Sequence, residues 1–424
     1  MSKRPRIGFA GMSHLGLNSA IASADKGFEI LCYDPDPTLI AALQAARWPI
    51  SEPDLPEMAA RNAASLIFSA DISDLANCDV VYIALDVATD DAGRADFGPL
   101  QNLIARVDGA MAKDAAMVVL SQVQPGFTRS LSRDKKNLFY QVETLIFGRA
   151  IERAAQPERF ILGLDDPSRP LPDAWRIYLE AFGCPLLPMR FESAELAKIA
   201  INCCLVASVS VANTLAEVSE GIGADWAEIV PALRLDRRIG PYSYINPGLG
   251  ISGGNLERDL AAVVAMGDRV GADVGVVRAW MANSRYRKDW ALRRLQQRLV
   301  GRVDNPTLGL LGLAYKENTH SIKNSPAVAL LRALPHLNLR AFDPEVKSLP
   351  DLPARHAIMD SMQAAWTGAD AVAIMTPWQV FRTINLPAMA AELRGPRLLI
   401  DPFRIVDGAA ARALGLEYHT LGTS

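Results

Sequence analysis

The chain has 424 residues, half of them apolar and 21% charged, which is the composition of an ordinary soluble globular protein with two or three domains. Its 44 basic and 47 acidic residues give a net charge of −3 without a basic block, which argues against nucleic acid or an anionic membrane surface as the main partner. The five cysteines are scattered, no 18-residue apolar run occurs, and the polar start leads directly into a strand, so we expect a cytoplasmic protein that is neither disulfide-stapled nor membrane-spanning.

Short β-rich runs alternate with helical patterns over the first 165 residues. The apolar runs of strand length are residues 7–10, 30–33, 66–69, 80–85, 117–120, 139–142 and 160–164. Apolar residues with helical spacing lie between several of them, as in the segment from Leu15 to Gly27. Because such alternation is typical of βαβ units, we expect a mostly parallel sheet in residues 1–191.

The pattern changes at about residue 192. Residues 192–302 are rich in Ala and Leu with helical spacing, and a Gly/Pro-rich segment interrupts them over residues 240–255. The apolar stretch 194–218 predicts a buried helix, because side chains such as Glu195 and Lys198 make it too polar to span a bilayer.

Strands and helices alternate again in the last third of the chain. The predicted strands there are residues 308–311, 339–342, 371–375 and 398–400. Both α/β ends place an aspartate after their second strand, at Asp34 and Asp343. The sequence therefore predicts an α/β fold, in which two Rossmann-like doubly wound parallel-sheet domains, 1–191 and 303–424, are joined by a central helical domain, 192–302, with a long helix.

The first predicted strand leads into a candidate dinucleotide turn, Gly11-Met12-Ser13-His14-Leu15-Gly16. This turn matches the G-x-G-x-x-G fingerprint except that Ser13 replaces the middle glycine. Asp34, about 20 residues further on, is placed to meet the adenosine ribose and would repel a 2′-phosphate, so NAD is favoured over NADP. The alternative is a tight strand-to-helix turn of any α/β protein, with Asp34 as a turn residue.

Several further segments occur in a characteristic order along the chain. They are residues 49–55, residues 79–84 with Thr89, residues 121–126, Glu143, residues 195–202, 238–240, 247–250, 253–259, 312–316 and 325–327. Together they resemble the UDP-glucose/GDP-mannose dehydrogenase family over nearly the whole chain. The resemblance implies oxidation of the C6 hydroxyl of a nucleotide sugar by NAD, with a UDP-sugar favoured, in a homodimer formed through the central helix.

The resemblance also implies roles for individual residues. It assigns NAD binding to the dinucleotide turn and to Asp34, Thr89, Gln122 and Lys323. It assigns catalysis to Glu143, Lys198, Asn202 and Asp259. It assigns substrate binding to Arg238, Tyr244, Asn246, Gly250, Tyr315 and Lys316.

Lys198 and Asn202 are four residues apart in a predicted helix, so they share one helix face. An ammonium and an amide on that face can hydrogen-bond one alcohol oxygen and stabilise negative charge as a hydride leaves. The alternative is a lysine on a solvated face. Asp259 could position a water or accept its proton, or it could be an acid in the first turn of a helix with Asn255 as its N-cap.

The largest departure from the family is Asn255, which stands where the acid-forming members have a nucleophilic cysteine. Because an amide cannot form the thiohemiacetal needed for a second oxidation, the sequence suggests an enzyme that stops after one hydride, with an aldehyde or a ring ketone as product. Direct oxidation of the aldehyde hydrate, in which water replaces the thiol, stays open because Asp259 and Glu143 are present. Phe147 stands where the family often has a glutamate. Two alternatives remain: a non-catalytic nucleotide-sugar or NAD-binding regulatory protein, and a β-hydroxyacid dehydrogenase, which would leave the last 120 or so residues without a role.

Overall fold

The computed structural model describes residues 4–88, 90 and 95–423, and the chain separates into two compact units, one up to residue 201 and one from residue 202 onward. The α/β fold predicted from the sequence is confirmed, with one sheet in each unit and a helical region that includes a long helix. The division into three domains stays a prediction.

The first unit is built around a sheet of eight strands among the described residues. The strands are β1 Ile7–Ala10, β2 Ile30–Tyr33, β3 Leu66–Ser69, β4 Val80–Ile83, β5 Ala116–Val119, β6 Leu138–Gln141, β7 Phe160–Leu164 and β8 Leu186–Arg190. Their order is β3-β2-β1-β4-β5-β6-β7-β8, and all neighbours are parallel except β6 and β7. The strand predicted over residues 80–85 ends at Ile83, and β8 was not predicted.

Helices follow the strands of this sheet. They are α1 His14–Asp25, α2 Pro37–Gln44, α3 Leu55–Arg61, α4 Gly98–Ala110, α5 Phe127–Ser130, α6 Ala150–Ala155 and α7 Asp173–Glu180, with 3-10 turns at Ala63–Ser65 and Ile72–Asn77. Both faces of the sheet are buried: Tyr82 belongs to one core, and its neighbours Val81 and Ile83 belong to the other. Burial on both faces explains why the strands are almost continuously apolar in sequence.

The second unit begins with helices and ends in a sheet of six parallel strands among the described residues. The helices are α9 Trp226–Leu235, α10 Asn255–Val270, α11 Gly275–Lys288, α12 Trp290–Arg298, α13 Pro326–Ala333, α14 Met362–Trp366, α15 Leu386–Glu392 and α16 Gly408–Ala413, with a 3-10 turn at Gln379–Thr383. The strands are β9 Thr307–Leu311, β10 Asn338–Phe342, β11 His356–Ile358, β12 Ala371–Ile374, β13 Leu398–Ile400 and β14 Glu417–His419, in the order β11-β10-β9-β12-β13-β14.

An aspartate follows the second strand of each sheet, as the sequence predicts. The Asp343 carboxylate accepts hydrogen bonds from the backbone N–H groups of Leu313 and Ala314 at 2.7 and 3.0 Å, which ties the end of β10 to the turn after β9. Asp34 makes the corresponding contact to the N–H of Met12 after β1, at 2.8 Å. Both carboxylates therefore hold the glycine turn of the neighbouring strand in place.

The predicted long helix is α8, Phe191–Ile222. By length and composition it is the one helix in the described part of the chain that could cross a membrane, and 39% of its most apolar window is buried. Phe191 and Ala194 pack in a core of the first unit, and Val206 packs against Ile251 and Leu260 in the second. Part of α8 therefore belongs to the core, and the predicted buried helix is only partly buried.

Glu195 fixes the start of α8 to the turn after β5. Its carboxylate, which is only 1% exposed, accepts hydrogen bonds from the N–H groups of Gly126 at 2.6 Å and Thr128 at 2.8 Å. Burial raises the pKa of Glu195 above its ordinary value, against the effect of these hydrogen bonds.

Replacing Glu195 by Gln tests this contact. The amide has one accepting oxygen for two N–H groups, so we expect the free energy of unfolding to fall by about 1–3 kcal/mol. Because the folded-state pKa of Glu195 is raised, its contribution to the free energy of unfolding falls as the pH rises above 4.5, and Gln at this position has no such dependence. The deficit of Glu195→Gln should therefore be larger at pH 4.5 than at pH 7.5 in urea unfolding.

Glu192→Gln is the matched control, one turn earlier in sequence. The ion pair with Arg129 lowers the pKa of Glu192, so its stabilisation is present above pH 4.5 and is lost as the pH falls. The deficit of this variant should be larger at pH 7.5 than at pH 4.5. The same pH trend in both variants would contradict the account of Glu195.

Candidate active site

The predicted dinucleotide turn joins β1 to α1, next to β4, where the strand order of the first sheet reverses. Gly11 has φ +97°, and a Cβ there would lie 3.1 Å from the backbone of Leu85. A Cβ on Gly16 would lie 1.8 Å from the carbonyl oxygen of Gly11, so no larger residue fits at this position. The two glycines thus form the close strand-to-helix turn that a dinucleotide needs.

Asp34 closes this turn from the end of β2. One carboxylate oxygen accepts from Met12 N–H, and the other accepts from Asp36 N–H at 3.0 Å. The carboxylate is 8% exposed and lies beside the turn, as a ribose-binding residue must. The N-terminus of α1 also offers the positive end of a helix dipole to a phosphate. On these observations the residues present fit NAD.

Ser13, the departure from the fingerprint, does not point its hydroxyl into open space. Its Oγ donates to the carbonyl oxygen of Ala84 at 3.2 Å and accepts from the N–H of Asp86 at 3.0 Å. Ser13 therefore joins the turn after β1 to the loop after β4. Thr89, further along that loop, lies outside the described residues.

His14 and Phe147 are neighbours in the first unit. Their ring centroids are 4.0 Å apart, and His14 Nε2 lies 2.7 Å from the buried carboxylate of Glu52. Glu52 also accepts hydrogen bonds from the N–H groups of Gly148 and Ala150. Burial pushes the pKa of Glu52 up, but the His14 ring and these N–H groups outweigh it, so the pKa lies below its ordinary value. Glu52 and this stacking were not predicted from the sequence.

Lys198 and Glu143 form an ion pair in the first unit. Lys198 Nζ lies 2.7 Å from Glu143 Oε1 and donates to the backbone carbonyl of Glu143 at 3.1 Å, and both side chains are nearly buried. Glu143 Oε2 accepts from the N–H of Leu145, which fixes the carboxylate in the loop after β6. Two residues with predicted catalytic roles are therefore in contact. Gln122, with a predicted cofactor role, is half-buried in the loop after β5.

Asn202 and Asp259 are in contact in the second unit. Asn202 Nδ2 donates to Asp259 Oδ2 at 2.5 Å, and Arg258 Nε lies 3.2 Å from Asp259 Oδ1. Asn202 is 7% exposed and Asp259 is 2% exposed. The buried Asp259 carboxylate therefore fixes the orientation of the Asn202 amide.

Asn255 is the first residue of α10, one turn before Asp259 on the same helix face. The suggestion that Asn255 caps this helix is wrong, because Gly254 occupies the cap position. A Cβ on Gly254 would lie 3.3 Å from the Lys323 side chain, and one on Gly253 would lie 3.1 Å from the Tyr315 ring. Lys323 and Tyr315 therefore line the loop that leads to Asn255.

The other predicted substrate residues are spread over the second unit. Gly250 has a packing role, because a Cβ there would lie 2.4 Å from the carbonyl oxygen of Ser284. Arg238, with a largely exposed side chain, pairs with Asp236 two residues earlier at 2.6 Å. Tyr244 is half-exposed, and Lys316 Nζ lies 5.8 Å above the centre of the Tyr315 ring.

Asn246 lines a cavity of about 410 Å³ in the second unit. The cavity lies at the carboxyl ends of β12 and β13, because Pro377 follows β12, Phe403 follows β13, and both line it. Trp226, at the start of α9, also lines it. Arg404, also in its wall, forms a double hydrogen bond to Asp225 at 2.6 and 3.1 Å. Ligands of open α/β sheets bind at the carboxyl ends of the strands.

Models of three domains of one protein family match most of the chain between residues 5 and 408. The NAD binding domain of the UDP-glucose/GDP-mannose dehydrogenase family matches residues 5–180, its central domain matches residues 192–285, and its UDP binding domain matches residues 309–408. The chain is 28% identical over 444 residues to the UDP-glucose 6-dehydrogenase of Pseudomonas aeruginosa, covering 98% of this chain and 97% of the relative. It is 26% identical to that of Rickettsia conorii, covering 98% and 99%.

Solved structures agree with these matches. A UDP-glucose dehydrogenase from Pyrobaculum islandicum superimposes with a TM-score of 0.85 at 26% identity, covering 99% of this chain and 97% of that one. A UDP-D-ManNAc dehydrogenase from Pyrococcus horikoshii, at 21% identity and a TM-score of 0.84, shares the fold and covers 98% and 99%. The chain therefore belongs to the UDP-glucose/GDP-mannose dehydrogenase family, a family of NAD-dependent nucleotide-sugar dehydrogenases.

Proposed function

We propose that this protein oxidises the C6 hydroxyl of a UDP-sugar to an aldehyde and stops after one hydride. The observation that carries the proposal is that the residues predicted for hydride transfer are held in pairs, whereas the predicted position of the nucleophile has an asparagine. Lys198 is paired with Glu143, and Asn202 is paired with Asp259, whereas Asn255 stands where the family resemblance places the nucleophilic cysteine.

Lys198 and Asn202 lie one turn apart in α8 and supply the hydrogen bonds for the reacting oxygen. The turn after β1 would hold NAD, which would supply the acceptor for the hydride of the carbinol carbon. The Lys198 ammonium stabilises the negative charge that develops on the oxygen, and the Asn202 amide orients that oxygen. Glu143 holds the ammonium in place, and Asp259 holds the amide. Both carboxylates therefore act as positioning residues, with Glu143 also able to receive the hydroxyl proton by way of Lys198.

The second oxidation of an aldehyde needs a nucleophile that adds to the carbonyl carbon. The amide nitrogen of Asn255 has a delocalised lone pair and cannot add. Cys203 packs in the same apolar cluster as Leu256, but burial and the nearby Asp259 carboxylate raise the pKa of its thiol. Since the thiolate is the nucleophile, Cys203 is poorly suited to replace the missing cysteine.

The stoichiometry of NADH tests this proposal. We expect the purified protein, given NAD and a panel of UDP- and GDP-sugars, to form one NADH per molecule of the preferred UDP-sugar and to leave an aldehyde that hydroxylamine traps. The NADH is measured by absorbance, and the sugar product by mass spectrometry. Two NADH and a uronate would contradict the one-hydride proposal, and sugar binding without NADH formation would favour the regulatory alternative.

Two variants sharpen the test. Asn255→Cys restores a thiol at the start of α10 and should raise the yield towards two NADH per sugar, with a uronate as product. Lys198→Met removes the ammonium and should lower kcat by about 100-fold or more, the cost typical of losing an oxyanion-stabilising group. Unchanged turnover in Lys198→Met would contradict the role assigned to Lys198.

We propose further that the 410 Å³ cavity of the second unit takes the nucleotide part of the substrate. Support comes from its place at the carboxyl ends of β12 and β13 and from Phe403 and Trp226, aromatic side chains on which a base can stack. Pro377, Phe403 and Arg404 also lie within residues 309–408, which match the UDP binding domain.

Phe403→Ala should weaken UDP binding by about tenfold, because base–aromatic stacking contributes roughly 1–3 kcal/mol per base. Calorimetry with UDP measures the loss, and NAD affinity should not change. Tyr286→Ala, which removes an aromatic ring from α11 outside the cavity lining, is the control and should leave both affinities unchanged. Equal UDP affinity in Phe403→Ala and wild type would rule out this site.

An exposed apolar stripe on α8 supports the proposed homodimer. Its members recur at helical spacing and are 45–72% exposed: Val211, Leu215, Val218 and Ile222. A stripe on one helix face can pack against the same stripe of a second copy in a two-fold arrangement. We propose that this stripe is the centre of the dimer contact.

Leu215→Glu combined with Val218→Glu should convert the dimer to a monomer, because each chain would bury two carboxylates in the contact. Light scattering after size exclusion gives the mass. Val270→Glu, at an exposed position at the end of α10, is the control and should remain dimeric. A wild-type monomer, or a double variant that stays dimeric, would exclude this interface.

A further inference from the structure

The N-terminus of helix α1 carries a carboxylate supplied by the protein itself. Asp86, in the loop after β4, accepts a hydrogen bond from the backbone N–H of Leu15 at 3.2 Å. Leu15 is the second residue of α1, and its N–H is one of the groups that have no partner within the helix. Ser13, in the N-cap position, makes no side-chain cap bond to the helix.

Ser13 holds Asp86 in this position. The Ser13 hydroxyl accepts the backbone N–H of Asp86 at 3.0 Å and donates to the carbonyl of Ala84 at 3.2 Å. The residue that departs from the glycine fingerprint thus anchors the residue whose carboxylate caps the helix. A glycine at position 13 could not provide this anchor.

The first-turn N–H groups of this helix are also where the dinucleotide fingerprint places a pyrophosphate. Two anions cannot share one N–H donor at the positive end of a helix. We infer that the Asp86 carboxylate occupies part of the pyrophosphate position and must be displaced when NAD binds. Asp86 is therefore a residue that sets cofactor affinity, and Ser13 acts through it as a positioning residue.

The size of the change in NAD affinity follows from competition between two states. In the closed state Asp86 caps α1, and in the open state Asp86 is displaced. The observed dissociation constant equals the intrinsic one divided by the fraction of protein with Asp86 displaced. A capping charge at an exposed helix N-terminus favours the closed state by a factor of about 2 to 5, and repulsion between the carboxylate and the pyrophosphate adds to this. We expect removal of the Asp86 charge to tighten NAD binding by about three- to tenfold.

Asp86→Asn isolates the charge, because the amide oxygen can still accept the Leu15 N–H. Calorimetric titration of the full chain with NAD, without sugar, should show the three- to tenfold tighter binding. Loss of the anionic cap should also lower the melting temperature of the protein without NAD by about 1–3 °C. Asp86→Asn should therefore bind NAD more tightly but melt at a lower temperature. If Asp86 only kept the turn in shape, its replacement would weaken both NAD binding and stability.

Two further variants complete the experiment. Asp407→Asn removes a capping carboxylate at the start of α16 and should lower the melting temperature with no change in NAD affinity. Ser13→Ala should tighten NAD binding in the wild type but add nothing to Asp86→Asn, because it acts only through Asp86.

Unchanged or weaker NAD binding in Asp86→Asn would overturn the inference, and so would an absence of binding in both wild type and variant. The inference rests on the NAD-binding domain and not on which sugar is oxidised. NADH formation from a UDP-sugar with unaltered affinity in Asp86→Asn would refute it while leaving the proposed function intact.

Discussion

Each polar side chain that helix α8 buries needs a hydrogen-bond or ion-pair partner. Removing an ammonium or a carboxylate from water without a counter-charge or hydrogen bonds is costly. Glu195 meets this constraint with two backbone N–H groups, Lys198 with Glu143, and Asn202 with Asp259. The turn after β5, the loop after β6 and the start of α10 are each held by one of these contacts.

The same constraint explains what the sequence could and could not predict. The central strands of both sheets, such as β1, β4, β9 and β12, are apolar and fully buried, so their positions can be predicted from local patterns. Strands β8, β11 and β14 were not predicted from the sequence. β8 and β14 are half-exposed, and β11 and β14 have three residues each, so their local patterns are weak.

The resemblance singles out individual residues whose roles stay predictions, but it does not identify the contacts that Glu52 and Asp86 make in the structure. Glu52 meets His14 across 38 residues of sequence, and Asp86 meets Leu15 across 71. No periodicity connects residues so far apart, since the fold alone brings the loop after β4 beside the turn after β1. Ser13 is the clearest example of such a contact. In the sequence it is a departure from the glycine motif, whereas in the structure its hydroxyl hydrogen-bonds the loop after β4 to the turn after β1.

Family membership establishes the class of reaction but not the number of oxidations. The relatives from Pseudomonas aeruginosa and Rickettsia conorii, named as UDP-glucose 6-dehydrogenases, are 28% and 26% identical to this chain, and Asn255 is a single position within that similarity. The chemistry at this position depends on whether a nucleophile is present at the start of α10. In the proposed mechanism the hydride-transfer residues and the nucleophile are separate parts of the site, so the first oxidation does not depend on the second.

The most direct test uses UDP-glucose that carries deuterium at both C6 positions. The proposed function predicts that NADH formed from it gains one deuterium and that the sugar product is a C6 aldehyde with the second deuterium retained. NADH without deuterium would show that C6 is not the oxidised carbon. Loss of both deuterium atoms to two molecules of NADH would show that the chain completes the second oxidation without a cysteine at position 255.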